Sequence, residues 1–178
     1  MISKSPTITF LKKYLPYIIC LSFILAYSTL GIIRHLHYGS FGYDLGINDQ
    51  VVWRYSTLQA PISTIDPYPD KTKLYEHIEI VYALIAPFYW IWSNRRMLIV
   101  VQAVVACSGS LAMYLLGKQK KLKPGINLAL MFSYLAFYGI QNALWFDVHS
   151  SAFAVGFLAW FLYFLDLKKI KMSTLFLF

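Results

Sequence analysis

The sequence predicts an all-α, polytopic membrane protein of about five to six transmembrane helices, and three observations support this. Only 13% of the 178 residues are charged and 58% are hydrophobic, whereas a soluble domain carries roughly 25% charged residues. Aromatic residues reach 18%, and many lie near the ends of apolar runs, as in membrane-interface belts. The net charge of +8 comes mainly from lysine clusters that flank apolar runs. That placement indicates membrane orientation in a lipid bilayer rather than nucleic-acid binding.

The apolar runs predict the transmembrane helices. The first, residues 14–33, has the roughly 20-residue length that spans a bilayer, so we interpret it as a retained signal anchor; cleavage near Ala26 is the alternative. Because the chain stops inside its last apolar run, we expect it to be an N-terminal fragment of a single transmembrane module. The further predicted spans are residues 97–116, 125–145 and 152–167, with residues 172–178 as the start of another.

Residues 34–96 form a long polar segment with two predicted surface helices, near residues 45–58 and 79–93. In the first, Ile47, Val51 and Tyr55 recur at helical spacing and make one apolar face suited to a membrane surface. In the second, the apolar run at residues 80–92 is shorter than the roughly 17 residues that a crossing needs. We therefore predict an interfacial or re-entrant helix there.

The lysine clusters predict the orientation. Positive residues near helix ends stay in the cytoplasm. The N-terminus and the clusters at residues 118–123 and 168–171 are therefore expected on the cytoplasmic side of the plasma (inner) membrane. If residues 80–92 do not cross, seven of the eight acids and all four histidines lie outside. The ionisable groups that do chemistry near neutral pH are then gathered in an extracytoplasmic loop and at the outer helix ends.

The segment from Phe41 to Gln50 predicts a turn that enters a helix, with Asp44 as its N-cap. Two interpretations stay open. Either Asp44 only caps the helix and Asp49 only faces water, or Asp44 is a general base or metal ligand in a membrane-facing cleft.

Glu76, His77 and Glu79 precede the second surface helix. They are either a solvated helix start, with acids favoured by the helix dipole, or a site in which His77 meets a phosphate and Glu79 holds a metal or orients His77. After the same helix, Arg95 and Arg96 can grip a phosphate through paired hydrogen bonds or contact lipid headgroups.

Asp147 and His149 lie at the outer end of a predicted span. Ionisable residues at membrane depth are costly and are therefore functional candidates. Since the two are separated by one residue, their side chains are expected to diverge. They are not expected to chelate one ion together without a partner from another loop.

The motifs follow one another along the chain in a fixed order. They are residues 43–50 with Trp53, His77 before residues 86–89, Gln102, and residues 146–149. This series of motifs, which runs from about residue 38 to 160, resembles that of the predicted membrane proteins catalogued as domain of unknown function 2079. That family is grouped by similarity with the C-type (GT-C) glycosyltransferases. Two positions depart from its pattern, because Ile80 and Ser150 stand where the family usually has proline.

The resemblance implies a GT-C-like N-terminal module that transfers a sugar from a polyprenyl-phosphate carrier to an acceptor at the outer face. Asp44 matches the catalytic acid, and His77, Asp147 and His149 match further family positions. A divalent cation, Mg²⁺ or Mn²⁺, is a candidate cofactor, with Asp49 and Glu79 as candidate metal ligands or second acids. The alternatives are a non-catalytic fragment or membrane partner protein and, less favoured because no predicted span carries an ionisable group near its middle, a transporter subunit.

Overall fold

The computed structural model describes residues 6–67, 72–75 and 78–176, and the regular secondary structure within these ranges is helical. Two 3₁₀ helices, Lys73–Tyr75 and Ala86–Trp90, accompany the α-helices. The α-helices are α1 (Pro6–Leu36), α2 (Gly42–Ser56), α3 (Ile80–Ile85), α4 (Arg95–Gln119), α5 (Pro124–Leu135), α6 (Tyr138–Trp145), α7 (Ser150–Asp166) and α8 (Ile170–Thr174).

Two described helices, Lys13–Leu36 within α1 and Arg95–Gln119, are long and apolar enough to cross a membrane by length and composition. Shorter apolar helices cover Pro124–Leu135 and Ser150–Asp166. The long helices have many exposed apolar side chains; Leu21 and Leu25, for example, are more than half exposed. Such a surface is suited to lipid rather than to water.

Helix α4 is the centre of the bundle and runs antiparallel to α1. Near one end of the pair Gly31 lies against Ile99, and further along the Cys20 thiol donates to the Cys107 carbonyl at 3.4 Å. Residue numbers thus increase along α1 in the direction in which they decrease along α4.

Helix α7 runs parallel to α4. Trp160 Nε1 donates to Ser108 Oγ at 3.0 Å. At the C-terminal ends of both helices, Gln119 Nε2 donates to the Asp166 carbonyl at 3.5 Å. The two helices approach most closely at Gly156, where a Cβ atom would collide with the backbone carbonyl of Val105. Because two parallel helices need a return connection, the chain between them must traverse the bundle once.

That return is made by α5 and α6, which divide the single span predicted at residues 125–145. The break falls at Ala136 and Phe137, where the chain turns extended before α6. Side chains bond the carbonyls that the break releases: Tyr27 donates to Leu135 at 2.6 Å, and Gln141 Nε2 donates to Ala136 at 2.7 Å. A helix break inside an apolar bundle is tolerated when neighbours satisfy the backbone in this way.

Helix α3 and the 3₁₀ helix after it do not cross the bundle. They pack on α2, where the Tyr89 hydroxyl donates to the Asp49 carboxylate and Trp90 Nε1 donates to the Ser56 carbonyl at 2.7 Å. We call the end of the bundle that carries α2, α3 and the start of α4 the pocket end. The lysine-rich turn after α4 lies at the opposite end, where Lys120 pairs with Asp166.

The expectation that Asp44 caps α2 is wrong. Phe41 occupies the N-cap position, and Asp44 lies in the first turn. A carboxylate there still interacts favourably with the helix dipole, and the position leaves its side chain available to a neighbouring element instead of to its own helix.

The close approach of α4 and α7 gives a stability prediction. Replacing Gly156 with alanine would force the helices apart, because the obstacle is backbone, and overpacking of this kind costs about 1–3 kcal/mol. We expect Gly156→Ala to lower the melting temperature of the detergent-solubilised protein. Gly125→Ala is the matched control, since a Cβ atom there meets nothing within 4 Å; equal melting temperatures for the two variants would contradict the packing.

Candidate functional site

The pocket end is organised by Asp147, whose side chain is 1% exposed. Its Oδ1 atom accepts from Arg34 Nη1 at 3.0 Å, and its Oδ2 atom accepts from the Phe41 backbone N–H at 2.7 Å. One carboxylate therefore ties the end of α1 and the N-terminus of α2 to the loop between α6 and α7.

The rest of that loop is held by two buried amides. Asn48 Nδ2 on α2 donates to the Val148 carbonyl at 2.8 Å. Gln102 on α4 accepts from the His149 N–H at 2.9 Å through Oε1 and donates from Nε2 to the Ala143 carbonyl at 3.3 Å. The backbone on both sides of His149 is thus fixed.

His149 faces Asp44. The distance from His149 Nε2 to Asp44 Oδ2 is 4.0 Å, and the two side chains remain 41% and 38% exposed, respectively. The pair is ionic when His149 is protonated, and both groups stay accessible to a ligand.

Asp44 and His149 line a pocket of about 340 Å³, which we call the Asp44 pocket. Ser150 Oγ donates to the Glu79 carboxylate in its wall at 2.5 Å. Burial and the nearby Glu79 carboxylate raise the pKa of the Tyr82 phenol, which is therefore an uncharged part of the lining. The lining residues are Tyr43, Asp44, Ile47, Asn48, Lys73, Glu79, Tyr82, His149, Ser150 and Ser151.

Lys73 brings positive charge to this pocket. Its Nζ atom lies 3.7 Å from Asp66 Oδ2, and its side chain is 14% exposed. The pocket therefore combines two carboxylates with a cation, hydroxyl groups and an imidazole.

An apolar groove of about 520 Å³ adjoins the Asp44 pocket along α7. Glu79, Ser150 and Ser151 line both cavities, so they form the boundary between polar and apolar space. Beyond that boundary the groove is walled mainly by Ile78, Ile80, Val81, Ala154, Val155, Phe157, Leu158 and Phe176.

Asp49 and Arg95 do not belong to the Asp44 pocket. Because Asp44 and Asp49 are five residues apart on one α-helix, their side chains diverge by about 140°. Asp49 instead lines a second polar cavity of about 310 Å³, which we call the Trp53 pocket, together with Gln50, Trp53, Tyr89, Ser93, Asn94 and Arg95.

Arg96 turns away from both pockets. Its Nε atom donates to Asn94 Oδ1 at 3.1 Å, and its guanidinium lies 5.9 Å from the centre of the Trp92 ring. Arg95 and Arg96, which were predicted to bind a phosphate together, thus do not line a common cavity. Glu76 and His77 lie outside the described residues.

Among the residues that the structure describes, no three His, Cys, Asp or Glu side chains lie close enough to hold a metal ion. Asp44 and Glu79 are the two carboxylates in the Asp44 pocket. Two carboxylates match the donor set of Mg²⁺, which usually completes its shell with waters and substrate phosphates.

Sequence reasoning missed Arg34, Asn48, Lys73 and Ser150. Each is polar in a segment where polar residues are ordinary. The partners of Arg34, Asn48 and Ser150 also lie far along the chain. Gln102 entered only through the family resemblance, although an amide within an apolar span is itself a signal, since it must be paired there.

These features define a class: a helical membrane protein whose carboxylates and histidine meet in a polar pocket at one end of an apolar bundle. The sequence profile of the family described as "Predicted membrane protein (DUF2079)" matches residues 34–178. The chain belongs to this family and accordingly contacts the lipid bilayer. Searches of curated proteins and of solved structures found no significant match.

The Arg34–Asp147 pair gives the second prediction. Removing one partner of a buried ion pair leaves an uncompensated charge and costs about 3–5 kcal/mol, so Arg34→Ala should lower the melting temperature in detergent markedly. The control is Lys120→Ala, which removes an ion pair whose lysine side chain is 56% exposed and should cost only about 0–1 kcal/mol. If the two variants melt alike, Asp147 does not organise the pocket end.

Proposed function

We propose that this protein is a membrane-embedded glycosyltransferase-like enzyme of the GT-C type, which transfers a sugar from a polyprenyl-phosphate carrier to an acceptor at the outer face. One observation carries the proposal: the Asp44 pocket and the apolar groove share the wall formed by Glu79, Ser150 and Ser151. A donor with a polar sugar phosphate and a long apolar chain needs such a junction, because each part must be buried against groups of its own polarity.

In the proposed reaction Asp44 is the general base. It removes the proton of an acceptor hydroxyl while the acceptor oxygen attacks the anomeric carbon, and the bond from that carbon to the carrier phosphate breaks. A single displacement inverts the anomeric configuration, and the carrier phosphate leaves with the bonding electron pair. Asp44 suits this role because its carboxylate is partly exposed and therefore within reach of an acceptor.

His149 and Lys73 have supporting roles in the proposal. His149, whose Nε2 atom lies 4.0 Å from Asp44 Oδ2, orients the base. Lys73 lines the same pocket. Its ammonium group has three donors, so it can donate to a ligand phosphate as well as face Asp66 at 3.7 Å, and the proposed divalent cation would offset the charge of Asp44 and Glu79. His77, matched through the family, is proposed as a further phosphate contact.

A divalent cation, Mg²⁺ or Mn²⁺, belongs to the same proposal. Asp44 and Glu79 are the residues that would hold it, and its charge would stabilise the leaving phosphate. Asp49, which lines the other cavity, is not part of this donor set.

The proposed topology is multi-pass in the plasma membrane, with the N-terminus cytoplasmic and the pocket end outside. It is supported by the helix directions: α4 and α7 run parallel, and the lysine-rich segments after both begin where Lys120 pairs with Asp166. The positive-inside rule assigns that end to the cytoplasm.

The role of Asp44 gives the third prediction. Asp44→Asn should reduce sugar transfer from a polyprenyl-phosphate donor by at least about 10²-fold, the range expected for loss of a general base. Transfer is measured with the full natural protein in membranes, with Mg²⁺ and again with EDTA; loss on chelation supports the cation. Asp166→Asn, at the opposite end of the bundle, is the control and should transfer normally. Unchanged transfer by Asp44→Asn would exclude the role, and an inactive parent protein would favour a non-catalytic membrane partner.

The topology gives the fourth prediction. A reporter that is active only in the cytoplasm, inserted after Lys121 in the turn that follows α4, should be active, whereas the same reporter inserted after Gln59 should be silent. Insertion after Gln59 falls in a described loop between α2 and the 3₁₀ helix Lys73–Tyr75. Activity in the reverse order would place the pocket end in the cytoplasm and contradict transfer at the outer face.

A further inference from the structure

The Trp53 pocket is separate from the Asp44 pocket and plays no part in the proposed transfer step. It lies between α2 and the segment that joins the 3₁₀ helix Ala86–Trp90 to α4. Asp49, Gln50 and Trp53 share its α2 wall because residues four apart, such as Asp49 and Trp53, lie on one helix face. Its volume of about 310 Å³ falls at the lower limit of typical small-ligand sites.

We infer that the Trp53 pocket binds a neutral saccharide. Trp53 lines the pocket and is 45% exposed; an exposed indole offers a flat apolar face on which the C–H face of a sugar ring can lie. Around it stand a carboxylate, two amides, two hydroxyls and a guanidinium, the donors and acceptors that vicinal hydroxyls need.

The hydrogen-bond acceptors in the wall of the Trp53 pocket are held in place by neighbouring groups. Tyr89 is 5% exposed, and its hydroxyl donates to Asp49 Oδ1. A carboxylate has about four acceptor positions, so Asp49 keeps capacity for a ligand hydroxyl. The side-chain Oε1 atom of Gln50 accepts from the Thr64 N–H at 2.8 Å. The NH₂ group of the same side chain is therefore directed to other partners.

The charge of the pocket selects against an anion. Asp49 and Arg95 both line it, and their charges offset each other, so a phosphate would meet a carboxylate as well as the guanidinium. A polyhydroxylated neutral ring uses both groups, since hydroxyls accept from arginine and donate to aspartate. A lipid headgroup phosphate is therefore the less suitable ligand.

The experiment is saturation-transfer NMR on the full chain in phosphatidylcholine nanodiscs, with neutral mono- and disaccharides as probes. We expect at least one saccharide to give a saturable signal and Trp53→Ala to weaken its binding by about tenfold or more. Trp53→Phe should retain part of the affinity because a flat ring remains. Trp145→Ala, which removes a tryptophan that is 54% exposed but outside this pocket, is the matched control and should bind normally.

Three outcomes would overturn the inference: no saccharide signal, signals only from glycerol phosphate or inorganic phosphate, or loss of saccharide binding with Asp44→Asn but not with Trp53→Ala. The last result would place the sugar in the Asp44 pocket. If Trp53→Ala fails to melt like the parent, Asp49→Asn provides the second test and should also weaken binding. Failure of sugar transfer would leave these binding results unaffected, so the two proposals are tested separately.

Discussion

The pocket end depends on one buried carboxylate. Asp147 accepts from Arg34 and from the Phe41 N–H, so its two oxygens join three chain segments that meet at the end of the bundle. Burying a carboxylate is unfavourable unless it is paired and hydrogen-bonded, and this requirement selects one relative arrangement of α1, α2 and the loop before α7. The approach of His149 to Asp44 follows from that arrangement, because His149 is two residues from Asp147 and Asp44 lies in the first turn of α2.

Helix α2 divides the polar chemistry between two cavities. Its Asp44 face contributes to a pocket that adjoins an apolar groove, and its Asp49 face contributes to a pocket beside Trp53. The helix is amphipathic in an unusual sense, since polar side chains on two faces flank a buried stripe that includes Val51 and Val52. One short helix in this way presents its two carboxylates to two separate cavities.

Much of the architecture was predictable because it follows from short-range patterns. The apolar lengths indicated helices near residues 97–116 and 152–167. The structure has α4 (Arg95–Gln119) and α7 (Ser150–Asp166) there, so both helices begin slightly earlier than predicted. The shortness of the run at residues 80–92 indicated a segment that does not traverse the bundle, which is how α3 and its 3₁₀ continuation lie. The break between α5 and α6 was missed because Ala136 and Phe137 are not helix breakers; the break is stabilised by Tyr27 and Gln141, and Tyr27 is distant in sequence.

The sequence by itself determined that this is a helical membrane protein, because composition and spacing report hydrophobicity and helical periodicity. It also made Asp44, Glu79, Asp147 and His149 candidate site residues, because they are ionisable groups at the starts or ends of predicted helices. Only the tertiary structure decided which of them share a cavity. It pairs Asp147 with Arg34, places Glu79 with Asp44 and His149, and moves Asp49 and Arg95 to another pocket. Such pairings join residues up to 113 positions apart, and a local pattern carries no information about which distant partner will satisfy a buried charge.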